Sequence, residues 1–106
     1  MKFQISTSVS LSANETKTVE TLTAKAGERI TLIGIAFTSS GSSKLRIYLN
    51  QTKVVEMISD YAYSIDHIRE INIVAEPGDE ISIEVEDTSG ASNTVKIFYE
   101  YERTTA

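Results

Sequence analysis

His67 is the one histidine of the chain, and it stands beside Asp66 with Asp60, Tyr61 and Tyr63 close by. Imidazole titrates near neutrality, so such a group suggests acid–base work or a metal. The spacing argues against both. Adjacent residues on a strand point to opposite faces, so Asp66 and His67 would diverge there. No H-E-x-x-H or H-x-H occurs and cysteine is absent, which leaves a zinc site only carboxylates for its other ligands. His67 is expected to be a surface histidine in a loop. Serine and threonine abound, but no G-x-S-x-G elbow presents one as a nucleophile, and a triad would have to recruit His67.

Carboxylates remain. Glu56, Asp60, Glu84 and Glu86 are the residues from which a glycosidase pair would be drawn. Glu84 and Glu86, however, alternate with Ile83 and Val85 and read as the wetted face of an outer strand. Glu76, Asp79, Glu80 and Asp87 carry oxygen ligands for calcium, without the D-x-[DN]-x-[DN]-G spacing. The five glycines sit singly, so no phosphate-cradling loop exists. Lys44, Arg46, Lys53, Lys96 and Arg103 are interleaved with acids, and a net charge of −5 repels phosphate backbones. No nucleic-acid partner is expected. Asn14-Glu15-Thr16 and Asn50-Gln51-Thr52 match the glycosylation pattern, as chance allows in a chain rich in threonine. No catalytic residue, no cofactor and no metal site is expected, and the chain is read as non-enzymatic.

The elements that would position any site follow from apolar residues alternating with polar ones. Ile81, Ile83 and Val85 oppose Ser82, Glu84 and Glu86; Leu45, Ile47 and Leu49 oppose Lys44, Arg46 and Tyr48. Eight strands are predicted near 2–10, 16–24, 28–38, 44–50, 53–59, 68–75, 79–87 and 94–102. Turn residues separate them at Asn14-Glu15, Ser39 to Ser43, Asn50-Gln51, Pro77-Gly78 and Ser89 to Asn93. The stretch from Asp60 to Glu70 fits a helical stripe and a strand alternation equally, and a crossover loop with at most one helical turn is expected there. The 106 residues form one domain, 1–106, in this reading. No window approaches the roughly 18 apolar residues of a bilayer span, and the first residues lack the apolar run of a signal peptide. Localisation stays open.

The chain also repeats itself. Ala24 to Leu32, AKAGERITL, returns as Ala75 to Ile83, AEPGDEISI. Ser40-Gly41 matches Ser89-Gly90, and Leu45-Arg46-Ile47-Tyr48 matches Val95-Lys96-Ile97-Phe98, with offsets drifting between 51, 49 and 50. Each copy is a turn, a strand, a Ser/Gly loop and a returning strand, read as a hairpin. Pro77 and Gly78 suit a type II turn, with proline presetting φ and glycine taking φ > 0; Gly27 suits the same turn without proline. Two copies do not make a solenoid. The repeat is scaffold: an all-β, antiparallel two-sheet sandwich of jelly-roll type, with pseudo-repeated hairpins.

In this pattern the chain resembles the jelly-roll sandwiches of viral capsid and appendage proteins, carbohydrate-binding modules, and the trimeric heads of the C1q/TNF type. The resemblance covers most of the chain in pattern and rests on no specific motif. It implies a non-catalytic, interaction-based role, carries over no functional residue, and sets a virion as one location.

One feature points beyond scaffold. The offset of 51 maps Ser82, Glu84 and Glu86 onto Thr31, Ile33 and Ile35, followed by Phe37. One copy has a polar back and the other an apolar one. Either a β-bulge at Gly34 turns Ile30, Leu32, Ile35 and Phe37 all to the core, or the stripe is covered by the 60–70 crossover or by another subunit. Tyr48 and Phe98 fall at matching positions facing away from Ile47 and Ile97. Ile33, Ile35, Phe37, Tyr48 and Phe98 are thus the candidate contact residues of a self-associating subunit, a homo-oligomer such as a virion shell or appendage. The alternative is a small carbohydrate-binding module in which the aromatics stack on sugar, although tryptophan is absent.

Overall fold

The structure, a computed structural model, describes residues 1–59 and 69–106. Eight strands follow one another: β1 (Lys2–Leu11), β2 (Thr16–Thr23), β3 (Glu28–Ser39), β4 (Ser43–Leu49), β5 (Thr52–Ser59), β6 (Arg69–Ala75), β7 (Glu80–Asp87) and β8 (Asn93–Thr105). They form two four-stranded sheets, in the orders β1-β8-β3-β6 and β2-β7-β4-β5. Every pairing is antiparallel. The pairs β1·β8, β2·β7, β3·β6 and β4·β5 are the rungs of one long hairpin, and alternate rungs go to opposite sheets. That is a jelly roll, closed across its middle by β3·β8 and β4·β7.

The reading of each repeat copy as a hairpin is corrected. β3 and β4 lie in different sheets, and so do β7 and β8, so each Ser/Gly loop arches from one sheet to the other. The repeat instead builds a pseudo-twofold. The first strand of each copy pairs with the returning strand of the other, β3 with β8 and β7 with β4. A hairpin would have paired each copy with itself. Among the described connections, the short Asn50–Gln51 turn joins two strands that pair with each other, β4 and β5.

The shared letters of the two turns have a physical reason. In each, the acidic residue after glycine closes the turn with its backbone and also reaches back with its side chain. Glu28 N donates to Lys25 O at 3.0 Å while Lys25 N donates to Glu28 Oε1 at 3.1 Å. Asp79 N donates to Glu76 O at 2.8 Å while Glu76 N donates to Asp79 Oδ2 at 3.2 Å. Between them, Gly27 and Gly78 hold φ of 76° and 91°, which only glycine adopts freely.

Alternation buries one face of each sheet. Ile30, Leu32, Ile35, Leu45, Ile47, Ile81, Ile83, Val85, Val95 and Ile97 are fully enclosed, joined by Phe37, Tyr99 and Tyr101. β-branched side chains dominate this core because they fit the pleated surface and lose little rotamer freedom there.

Candidate functional site

The apolar stripe of β3 is resolved by a bulge. Against β8, Leu32 faces Tyr101 and Gly34 faces Glu100, so Ile33 is the extra residue. The one-residue shift sends Ile35 and Phe37 to the same face as Ile30 and Leu32. Ile35 is wholly buried and Phe37 is 5% exposed, both inside the main core. They are therefore packing residues and cannot form an outer contact surface. Ile33, beside the bulge glycine, stays half-buried.

Tyr48 and Phe98 are half-buried on outer faces, but of different sheets. Phe98 sits between Ser6 of β1 and Ala36 of β3. Tyr48 pairs with Ser82 and Lys53, on the far side of the sandwich. The pseudo-twofold that makes the two positions equivalent also sets them back to back, so they do not share one surface.

The outer face of the second sheet carries a constellation that composition alone did not reveal. In register, Arg46 lies between Glu56 of β5 and Glu84 of β7. Its Nε donates to Glu56 Oε2 at 2.9 Å, Nη1 donates to Glu84 Oε1 at 2.9 Å, and Nη2 donates to Glu86. Tyr48 adds its hydroxyl to Glu84 at 3.3 Å. Three carboxylates thus share one guanidinium, whose own proton is held more tightly by the hydrogen bond to Glu86 above all. The bond from Arg46 holds Glu56 below the usual carboxylate range. Glu84 and Glu86 do face outward, each bonded to the Arg46 guanidinium. The signal was present in the sequence as Lys44-Leu45-Arg46 opposite two acidic strands, and only pairing made it a cluster.

Asp87 is the second polar centre. It is 1% exposed at the inner end of β7. Five donors fill its carboxylate: the backbone N–H groups of Asn14 (2.8 Å), Ser89 (3.1 Å) and Gly90 (3.1 Å), the Ser89 hydroxyl (2.5 Å) and Asn93 Nδ2 (2.9 Å). These bonds, led by the Ser89 hydroxyl, press its carboxyl far below the ordinary aspartate range. Asn93 continues the network, donating to Ser42 O at 2.9 Å and accepting from Gly41 N at 3.1 Å. One buried carboxylate therefore ties together the loops β1–β2, β3–β4 and β7–β8. As a calcium ligand it has no lone pair to spare. Among the described residues, no group of three or more His, Asp or Glu is disposed to hold a metal ion, and no buried side-chain N or O lacks a partner.

Two open depressions lie elsewhere. One, of about 460 Å³, is bounded by Glu28 and Arg103, paired at 2.6 Å; the other, of about 410 Å³, by Glu15 and Lys17. Their charged groups pair with each other and aim nothing at a ligand. His67, Asp66, Asp60, Tyr61 and Tyr63, and the helix-or-strand question at 60–70, fall on residues outside the described ones, apart from Arg69 and Glu70, which open β6. The two glycosylation-pattern asparagines are turn residues: Asn14 and Asn50 hold φ of 61° and 58°, a region that asparagine tolerates better than most residues. No helix among the described residues is long and apolar enough to cross a membrane.

No protein-family model matches the chain, and no curated protein matches it in sequence. Some solved structures are similar to the chain. The chain is similar to the carbohydrate-binding module CBM36 in complex with calcium and xylotriose, at 14% identity and a TM-score of 0.46, covering 98% of this chain and 99% of that one. It is also similar to the VP2 subviral particle of infectious bursal disease virus, at 16% identity and a TM-score of 0.45 over 99% of this chain. The Gt strain of the same virus gives 15% and 0.44. The chain spans 38% of each of those two viral chains.

Proposed function

We propose that this chain is a non-catalytic structural or interaction subunit that associates with copies of itself, as a component of a virion shell or appendage would. The supporting observation is the state of its described polar centres. Asp87 is saturated by five donors, and Glu56, Glu84 and Glu86 are held by one guanidinium. A general acid or base must exchange a proton with a reacting group, and carboxylates locked into such bonds are poor at it. What the described residues present outward is sheet surface and strand edge.

Solution mass by light scattering at tens of micromolar tests the reading. An oligomer is expected. A monomer overturns it, and glycan titration followed by tyrosine fluorescence then tests the carbohydrate-binding alternative, with Tyr48 as the reporter.

A further inference from the structure

A jelly roll has four edge strands, and here three of them are defended against pairing while one is not. β2 is broken by a register shift between Thr18 and Glu20 and carries Lys17 and Glu20. β5 carries an unpaired Val54, between Lys53 opposite Tyr48 and Val55 opposite Ile47, and is charged at Lys53 and Glu56. β6 is out of step beside the Leu32–Gly34 bulge and begins Arg69-Glu70. Bulges and charges of this kind are how sheets refuse strangers. β1 has neither. Its ten residues run in unbroken register with β8 from Lys2↔Glu102 to Leu11↔Asn93, and Lys2 is its one charge.

The direction of its free backbone groups is set. Arg103 N donates to Met1 O and the Met1 amine donates to Arg103 O, so the odd-numbered residues of β1 bond to β8. The N–H and C=O groups of Gln4, Ser6 and Ser8 then point off the sheet. Lys17 confirms the direction by donating its ammonium to Ser10 O at 3.0 Å, from outside the sheet. On the inner face, Phe3, Ile5 and Val9 pack on the core yet stay half-buried, and among the described residues no strand lies beyond the edge to cover them.

We propose that the free edge of β1 is the self-association surface, pairing antiparallel with β1 of a second copy about a twofold at Ser6. This deepens the self-association reading above and rests on it. The register is self-complementary: Gln4 falls opposite Ser8 and Ser6 opposite itself, each pair exchanging two backbone hydrogen bonds. On the inner face Phe3 falls opposite Val9 and Ile5 opposite Thr7, which extends the apolar row across the join. Ser10, already capped by Lys17, is not needed. A second copy is the occupant because the edge complements itself: Lys2 is its one charge and falls opposite Ser10 in this register, so no like charges on β1 meet across the join. An isologous contact of this kind closes at a dimer, four strands joining four.

The test is sedimentation equilibrium of the whole chain and of Ser6→Pro/Ser8→Pro. At these even positions the N–H faces off the sheet, so proline removes no bond to β8 and blocks only the incoming strand. The expected result is a wild-type dimer and a folded variant whose dimer dissociation constant is at least tenfold higher. Ser6→Lys, which keeps the N–H but sets two ammonium groups face to face at the twofold, should weaken the dimer in the same direction and more so at low salt. If the proline variant fails to fold, Ser6→Lys decides. A wild-type oligomer that folded variants leave intact overturns the β1 surface and leaves the self-association reading standing. A wild type that is monomeric throughout overturns both.

Discussion

The hydroxyl of Tyr99 donates to Glu20 Oε2 at 3.0 Å across the gap between the two sheets. Tyr99 stands on β8 and is 2% exposed; Glu20 stands on β2, turned inward by the register shift that follows Thr18. Burial first, and then the bond to Glu20, holds the phenol proton well above its usual range. The bond fastens an edge strand of one sheet to a central strand of the other. Tyr99→Phe should destabilise the protein by about 1–2 kcal/mol, because the half-buried carboxylate loses its partner. Urea melts of Tyr99→Phe, Glu20→Gln and the double variant check it, with a coupling near zero counting against the bond.

The Asp87 network predicts a pH dependence. Below about pH 4 an unfolded aspartate takes up a proton while the folded Asp87, held far lower, does not. The unfolded state then binds more protons, so Asp87 stabilises the fold fully above that range, and the contribution is lost as pH falls through it. Asp87→Asn keeps the shape but turns an amide N–H toward groups that are themselves donors. It should lower the melting temperature by roughly 10–20 °C at pH 7 and flatten the acid limb of the stability curve. Calorimetry from neutral pH down to about pH 2 reads both effects.

Arg46 is predicted to matter most where its partners are ionised. Arg46→Met removes the guanidinium that Glu56, Glu84 and Glu86 share and leaves Glu56 only its ion pair with Lys53 at 3.5 Å. Glu56, whose carboxyl the bond from Arg46 holds low in the folded protein, loses that advantage, so the deficit is largest at neutral pH and shrinks as the pH falls toward about 4. A loss on the order of 1–3 kcal/mol at pH 7 is expected from denaturant melts. A deficit that does not change with pH would mean that Arg46 acts through packing alone.

Gly78→Ala tests the repeated turn. A methyl group there meets no atom within 4 Å, so the cost is that of the backbone at φ +91°. A loss of about 1 kcal/mol in urea melts is expected. Gly27→Ala, at φ +76° and with equally open surroundings, should match it within a few tenths of a kcal/mol on the same reasoning. Unequal losses would show that the two turns are not energetic equivalents.

Phe37→Ala separates core from contact. Because Phe37 is 5% exposed and lies in the main core, the substitution should cost about 3–5 kcal/mol in stability. Wherever the variant is still folded, its solution mass should equal that of the wild type. A shift in mass with unchanged stability would return Phe37 to the list of contact residues.

Much of this was readable from local pattern. Alternation at Ile81, Ile83 and Val85 identifies the inward face of β7 with no knowledge of its neighbours, because side chains alternate on any strand. Pro77-Gly78 and the acid that follows announce their turn, since φ preferences and a bond three residues away are local properties. The type of fold follows from the number and spacing of such strands.

Partner choice is another matter. That β3 pairs with β8 and not with β4 depends on contacts between residues tens of positions apart, and a strand reads the same whichever neighbour it takes. Hence the Ser/Gly loops look like hairpin turns in sequence and are arches in space. The bulge at Ile33 is decided by the same means: one unpaired residue reverses the facing of all that follow, moving Ile35 and Phe37 from an expected surface into the core. Tyr48 and Phe98 were legible as an equivalent pair, but only the pseudo-twofold set them on opposite faces. Arg46 gathers its three glutamates for the same reason, since they come from strands β5 and β7 that pairing alone brings to either side of it. Sequence determined which residues face inward along each strand, because that depends on a period of two; tertiary structure decided which strands meet, because that depends on the whole chain closing on itself.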